Sequence, residues 1–190
     1  MKKKKILILG GGYSKERFIS IKSAKAVIKS INKIHKIKFC DPCHNFIKTI
    51  KNFKPDVIFN ALHGRFGEDG YIQSILETLG IKYTHSGVIS SMSAMDKEIS
   101  KKIFIKNNIL TPKYILYSFD KSKTDLFKII DKKLKFPVVI KPLNEGSSVN
   151  VFICSKFNIM RKLRLLKNYN RIIIEEFIPG REIQAAIIGS

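Results

Sequence analysis

The 190-residue chain has no tryptophan, only three cysteines, six arginines and fifteen acidic residues. No apolar run approaches the ~20 residues that cross a bilayer as a helix, which excludes a transmembrane helix within these 190 residues. An odd, small number of cysteines without an export signal argues against a disulfide framework. The scarcity of acids against 36 Lys+Arg leaves a formal charge of +21. That charge alone suggests nucleic acid or an anionic surface. Thirty of the basic residues are lysine, however, and isoleucine numbers 32. Reading of phosphates or guanines favours the bidentate fork of arginine, so the excess reads as drift toward A/T-rich codons. Specific nucleic-acid recognition is therefore not expected, and residual binding should be non-specific and salt-sensitive. With 44% hydrophobic residues, the chain can bury a core and is not a disordered composition.

The N-terminus carries four lysines, then only Ile6, Leu7, Ile8 and Leu9 before Gly10-Gly11-Gly12. A secretory h-region needs about 7–15 apolar residues, so a buried first strand and a cytoplasmic location are the expectation. Cys40-Asp41-Pro42-Cys43-His44 spells the haem c attachment pattern. It follows a short strand and contains a turn-forming Asp-Pro, not the opening of a helix, and no further ligands sit at zinc spacing. It is read as incidental.

Apolar periodicity alternates between short runs and helical stretches. Strands are expected at 5–9, 37–40, 57–62 and 81–84, with helices at 16–32, 71–79 and 88–95. That alternation implies a parallel sheet with helices on both faces. Asp96 is positioned to cap a helix over 97–107. Beyond it the pattern changes to strands at 113–117, 136–141, 151–154, 171–176 and 182–188, with helices at 123–133 and 157–167. The domain boundary is placed near Asp96, giving 1–96 and 97–190. The last apolar strand has no sequel to pair with, so it either pairs within the second domain or belongs against a lobe beyond residue 190.

Four segments carry chemistry. Glycines 10–12 and Glu16 lie between the first strand and a helix, where a ligand can approach the backbone. The dinucleotide fingerprint fails, since Lys15 stands where the third glycine belongs. Glu16 either complements the helix dipole or accepts a ligand ammonium. His63-Gly64-Arg65-Phe66-Gly67-Glu68-Asp69-Gly70 follows a strand, at the edge where open α/β sheets hold their sites. Lys141 to Ser148 emerges from a buried strand and suits phosphate, though it is no Walker A loop. Glu175, Glu176 and, further on, Glu182 could accept bonds from a nucleotide amine or ribose hydroxyl.

In order and in register, these segments resemble the D-alanine–D-alanine ligase family of the ATP-grasp superfamily. The resemblance is carried by Gly-Gly-Gly-x-Ser-x-Glu-Arg, residues 61–70, Tyr83-Thr-His-Ser-Gly-Val88, Met95-Asp-Lys97, Val138-Val-Ile-Lys-Pro142, Glu145-Gly-Ser-Ser-Val149 and Glu175 to Glu182. It implies an α/β fold: an N-terminal Rossmann-like domain, then the first lobe of an ATP-grasp domain. It also implies that Glu16 holds the ammonium of a first D-alanine, with His63 beside that substrate and Glu68 supporting the pocket. Lys97 and Lys141 would bind ATP phosphates. Ser147 and Ser148 would sit in the loop that closes over ATP and orients Glu16. Glu175, Glu176, Phe177 and Ile178 would line the adenine pocket, and Glu182 would face the ribose. ATP would phosphorylate one D-alanine carboxylate, and the amine of a second would displace phosphate, making a peptidoglycan precursor.

Mg²⁺ or Mn²⁺ is implied as well, but no metal ligand can be assigned within the chain. The family's metal-binding Asp, Glu and Asn are expected in a lobe beyond residue 190. Asn150 stands where the family's loop usually has glycine, Phe18 where a Glu is common, and Glu176 where a Lys is often found. The family is typically dimeric, which makes a homodimer the implied assembly. The alternatives are a non-catalytic nucleotide-binding remnant, another ATP-grasp carboxylate–amine ligase, a basic nucleic-acid binder and a haem carrier.

Overall fold

The computed structural model describes residues 2–121 and 125–186. They form two compact units, residues 2–108 with Leu143–Val149, and Ile109–Pro142 with residues 150–186.

The first unit is built from β1 (Lys5–Leu9), α1 (Arg17–Ile31), β2 (Lys36–Cys40), α2 (Phe46–Phe53), β3 (Val57–Asn60), α3 (Tyr71–Thr78), α4 (Val88–Met95) and α5 (Lys97–Lys106). Its sheet has the order β2-β1-β3 and is wholly parallel, with Ile6 opposite both Ile37 and Val57. β1 is central, so both of its faces are covered. Leu7 and Leu9 pack with Phe46, Ile50, Ile72 and Leu76 from α2 and α3. Ile6 and Ile8 pack with Ala24, Val27 and Ile28 of α1. This two-sided burial explains the unbroken apolar run, since alternate side chains on a strand face opposite ways. Each fully buried Leu or Ile contributes about 1.5–3 kcal/mol.

The second unit holds β4 (Tyr114–Ser118), a 3₁₀ turn (Phe119–Lys121), α6 (Leu126–Lys133), β5 (Val138–Pro142), β6 (Phe152–Cys154), α7 (Ile159–Leu165) and β7 (Arg171–Glu176). Its sheet is antiparallel, in the order β4-β7-β5-β6. Val138, Ile140, Ile172 and Ile174 on one face pack against Leu126 and Ile130 of α6 and Ile159 and Leu163 of α7. The change from a parallel to an antiparallel sheet follows the change of pattern in the sequence.

Three elements differ from the sequence reading. α2 falls in a stretch where the sequence reading expects no element; Phe46, Ile50 and Phe53 have helical spacing there, and Phe46 and Ile50 are buried. Residues 81–84 make only one parallel bridge, Ile58 with Tyr83, framed by Ile58 N–H to Lys82 O at 2.8 Å and Thr84 N–H to Ile58 O at 3.0 Å. The expected last strand is not formed over 182–186; that segment is exposed and, among the described residues, no strand pairs with it. Its remaining positions, 187 and 188, lie outside the described residues. So do 123 and 124, the expected start of α6, whose cap is Asp125. The compact units divide after Asn108, whereas the sequence reading puts a boundary near Asp96, because α5 packs against α4.

Asp96 caps α5 as the sequence indicates: one carboxylate oxygen accepts from Glu98 N at 2.9 Å and Ile99 N at 3.0 Å. Replacing Asp96 with Ala should therefore cost about 0.5–2 kcal/mol, and Asp96→Asn much less, measured by urea unfolding.

Candidate active site

The carboxyl ends of β1, β2 and β3 are tied together by side chains from the start of α1. Arg17 pairs with Asp41 at 2.5 Å and donates to Gly12 O at 3.0 Å. Asp41 Oδ1 accepts from Gly12 N and Cys43 N, both at 3.1 Å. Burial opposes ionisation of Asp41, yet the Arg17 guanidinium and the two N–H donors prevail and hold its pKa at about 2. Gly11 sits at φ +98°, and a Cβ there would lie 2.5 Å from Asp41 Oδ2, so the turn requires glycine. The Cys-x-x-Cys segment is thus the turn that Asp41 organises. All three cysteines are free, and burial raises the Cys40 and Cys43 thiols, the opposite of a redox-active pair.

Along α1, Glu16, Ser20 and Ser23 form a polar stripe facing the loop after β3. Ser20 Oγ donates to Ala61 O at 2.7 Å and accepts from Gly11 N at 2.8 Å. Ser23 Oγ lies 3.0 Å from His63 Nε2. Glu16 is 8% exposed, and its carboxylate occupies the place a Gly64 side chain would need. Gly64 adopts φ +69°, so a side chain there would be strained as well. His63 Nδ1 lies 3.3 Å from Glu68 Oε1, and Glu68 Oε2 accepts from Gly64 N at 2.8 Å. Ser14 Oγ holds the His63 carbonyl at 2.7 Å. Asn60 and Gln73 both donate to Gly67 O, at 2.8 and 2.9 Å.

Two cavities flank this loop and share Leu62, His63 and Gly67. One, of about 380 Å³, is lined by Ser23, His63, Glu68, Gln73 and Ser91 among others. The other, of about 140 Å³, is lined by Tyr13, Phe46, Arg65, Phe66 and Tyr71 among others. His63 and Glu68 face the larger cavity, while Glu16 lines neither.

The loop 143–149 packs with the same unit. Lys97 Nζ donates to Leu143 O at 3.1 Å and Glu145 O at 2.5 Å. Glu145 Oε1 lies 3.9 Å from Lys15. A Cβ on Gly146 would sit 3.6 Å from Glu16 Oε2, so this loop reaches the Glu16 carboxylate. Ser147 and Ser148 are exposed at φ 44° and 58°. The unit thus gathers Glu16, His63, Glu68, Lys97, Ser147 and Ser148.

In the second unit, Lys141 and Glu175 form an ion pair of 2.7 Å, with the Glu175 side chain only 6% exposed. Both stand on the sheet face opposite α6 and α7, because they alternate along β5 and β7 with Ile140, Ile172 and Ile174, which pack against those helices. Glu176 turns to the β4 side, where its Oε1 accepts from Lys113 N at 3.1 Å. Phe177 N donates to Pro137 O at 3.3 Å. Ile178 and Glu182 are exposed, and Glu182 lies in the segment without a strand. Asn150, at φ 58°, occupies a left-handed conformation that asparagine tolerates, and its Nδ2 donates to Tyr169 Oη at 2.9 Å. Among the described residues, no group of three His, Cys, Asp or Glu side chains could hold a metal.

Sequence reasoning missed Ser20, Ser23, Asn60, Gln73 and the Arg17–Asp41 pair. The 16-20-23 spacing was a usable signal for one helix face, but nothing in the sequence pairs residue 17 with residue 41. Asp41 yields a testable pH dependence. A carboxyl depressed on folding adds stability that is complete above its unfolded pKa, near 4, and is lost as pH falls toward 2. Asp41→Asn should be destabilised at neutral pH and should show a shallower loss between pH 4 and 2 than the parent chain, read from melting curves.

A family profile described as D-ala D-ala ligase N-terminus matches residues 40–86, and one described as D-ala D-ala ligase C-terminus matches residues 106–190. The D-alanine--D-alanine ligase of Pelagibacter ubique is 64% identical over 188 residues, covering 98% of this chain and 62% of that protein. The corresponding ligase of Wolbachia pipientis wMel is 43% identical over 189 residues, covering 96% and 58%. The crystal structure of the Bacillus anthracis ligase superposes with a TM-score of 0.82 at 34% identity, covering 93% of this chain and 58% of that one. A structure of the same enzyme complexed with ATP gives 0.77, covering 93% and 60%. The chain therefore spans about three fifths of the relatives it matches. No helix among the described residues is long and apolar enough to cross a membrane. With both halves of the family signature in order on a parallel-then-antiparallel α/β fold, the chain belongs to the D-alanine–D-alanine ligase family.

Proposed function

We propose that this protein takes part in the ATP-dependent joining of two D-alanines. The observation that carries the reading is the Glu16 carboxylate, buried beside Gly64 and reached by the Gly146 loop. A buried anion at that place suits the ammonium of an amino-acid substrate, with His63 and Glu68 on the loop that carries Gly64. In the first unit Lys97, Ser147 and Ser148 would serve the nucleotide phosphates. In the second, Lys141 would do so, while Glu175, Glu176, Phe177, Ile178 and Glu182 would serve the adenosine part. The Lys141–Glu175 face fits a phosphate only if the lysine shares its charge between the carboxylate and the ligand. ATP activates a D-alanine carboxylate, whose own oxygen is a very poor leaving group. The amine of the second D-alanine then attacks the resulting acyl phosphate, the C–N bond forms, and inorganic phosphate departs. The described residues do not supply a Mg²⁺ donor set, so no step is assigned to a metal on this chain. A homodimer and a cytoplasmic location accompany this reading as family properties.

Residues 1–190 alone should not form D-alanyl-D-alanine, because the described part offers no metal ligands for the phosphoryl group. Phosphate release by the isolated chain that depends on D-alanine would contradict this. Combined with the remaining two fifths of a close relative, the chain should turn over. In that enzyme Glu16→Gln should lower activity roughly tenfold or more, since a charge-assisted bond contributes about 1.5–3 kcal/mol. The loss should appear with the first D-alanine and spare ATP affinity. A dipole role alone would instead cost about 0.3–1 kcal/mol of stability and leave the kinetics unchanged. Lack of turnover in the reassembled enzyme, with ATP still bound, would favour the nucleotide-binding remnant.

A further inference from the structure

We propose that Ser23 is a positioning residue for His63, the outer member of a Ser23–His63–Glu68 relay. Ser23 Oγ is 3.0 Å from Nε2 and Glu68 Oε1 is 3.3 Å from Nδ1, so both ring nitrogens are engaged. The Glu68 carboxylate can only accept, and its second oxygen is fixed by Gly64 N–H. Nδ1 therefore carries the proton toward Glu68. In the neutral ring Nε2 is then the acceptor, and the Ser23 hydroxyl donates to it.

The helix offers Ser23 an alternative that it does not take. A serine inside a helix commonly bonds back to the carbonyl four residues earlier. Ser30, in the same helix, does so, to Ala26 O at 3.1 Å. Ser23 turns instead to His63, and both residues line the cavity of about 380 Å³. The ring is thereby held at both nitrogens, while its backbone is held by Ser14. A ligand that takes Nε2 displaces a hydroxyl with a ready fallback on its own helix, so the imidazole is aimed into the cavity without an orphaned polar group. The aiming stands on geometry alone; what His63 does once aimed rests on the ligase reading.

The test is imidazole ¹⁵N spectroscopy of the 190-residue chain, with the His63 signals assigned through His63→Gln. The wild-type ring should show an Nδ1–H tautomer, with Nε2 displaced upfield by the bond that it accepts. In Ser23→Ala, a substitution a helix favours, the Nε2 signal should move downfield to the unbonded position. Ser23→Thr, which keeps the hydroxyl, should restore it. An Nε2–H tautomer in the wild type would overturn the proposal without any variant, and so would an Nε2 position unchanged in folded Ser23→Ala. Adding D-alanine with a non-hydrolysable ATP analogue separates the two readings. An Nε2 signal that follows the relay pattern but ignores both ligands upholds the relay and removes the ligase role of His63.

Discussion

The first unit depends on how closely the start of α1 approaches the loop that follows β3. A buried carboxylate, Glu16, occupies space that a side chain at position 64 would otherwise fill. That approach demands glycine at 64, and the stripe formed with Ser20 and Ser23 fixes the helix by bonding it to Ala61 O and to His63. Desolvating a carboxylate is costly unless it is paired. Under the proposed function, a ligand's ammonium would be that partner for Glu16. The Arg17–Asp41 pair then locks the neighbouring glycine turn, so the loops after all three strands are braced by the first two turns of one helix.

The second unit presents a similar problem with a different solution. Its antiparallel sheet buries one face against two helices and carries Lys141 and Glu175 on the other. A buried ion pair is weak evidence for stability, because desolvation offsets much of the Coulomb gain. What the pair does fix is the lysine, whose ammonium is held 2.7 Å from a nearly buried carboxylate. Lys97 in the first unit is held comparably, by two carbonyls of the 143–149 loop.

Much of this was legible because the pattern is strong. β1, α4 and β7 fall where periodicity puts them, and Asp96 caps its helix. The candidate loops after β1 and β3 sit at strand ends, as the sequence implied. Two losses have distinct causes. Helix α2 is only eight residues long, so Phe46, Ile50 and Phe53 offer barely two turns of helical periodicity to read. The 182–188 strand rests on an apolar run after Pro179-Gly180, and such a run does not supply a partner; among the described residues, 182–186 are exposed and no strand pairs with them. Site partners distant in sequence, such as Ser23 with His63 and Arg17 with Asp41, leave no spacing to read. They come together only because β1, β2 and β3 end at the same edge.

The charge balance gains a physical reading from the structure. A drift toward lysine is tolerated where a side chain is solvated, and it should purge acids wherever they do nothing specific. Most of the surviving acids hold a particular partner. Asp56 accepts from Lys5 N at 2.7 Å, Asp69 from Phe66 N and Tyr71 N, Asp125 caps α6, and Glu77 accepts from Tyr83 Oη at 2.6 Å. Burial and then Glu77 push the Tyr83 phenol up to about 12, so that bond keeps its proton throughout the physiological range. Acids that mostly hold a cap, a turn or a specific side chain, amid a lysine excess, are what compositional drift leaves when folding filters it. A surface selected for nucleic acid would have spent the same positive charge on arginine.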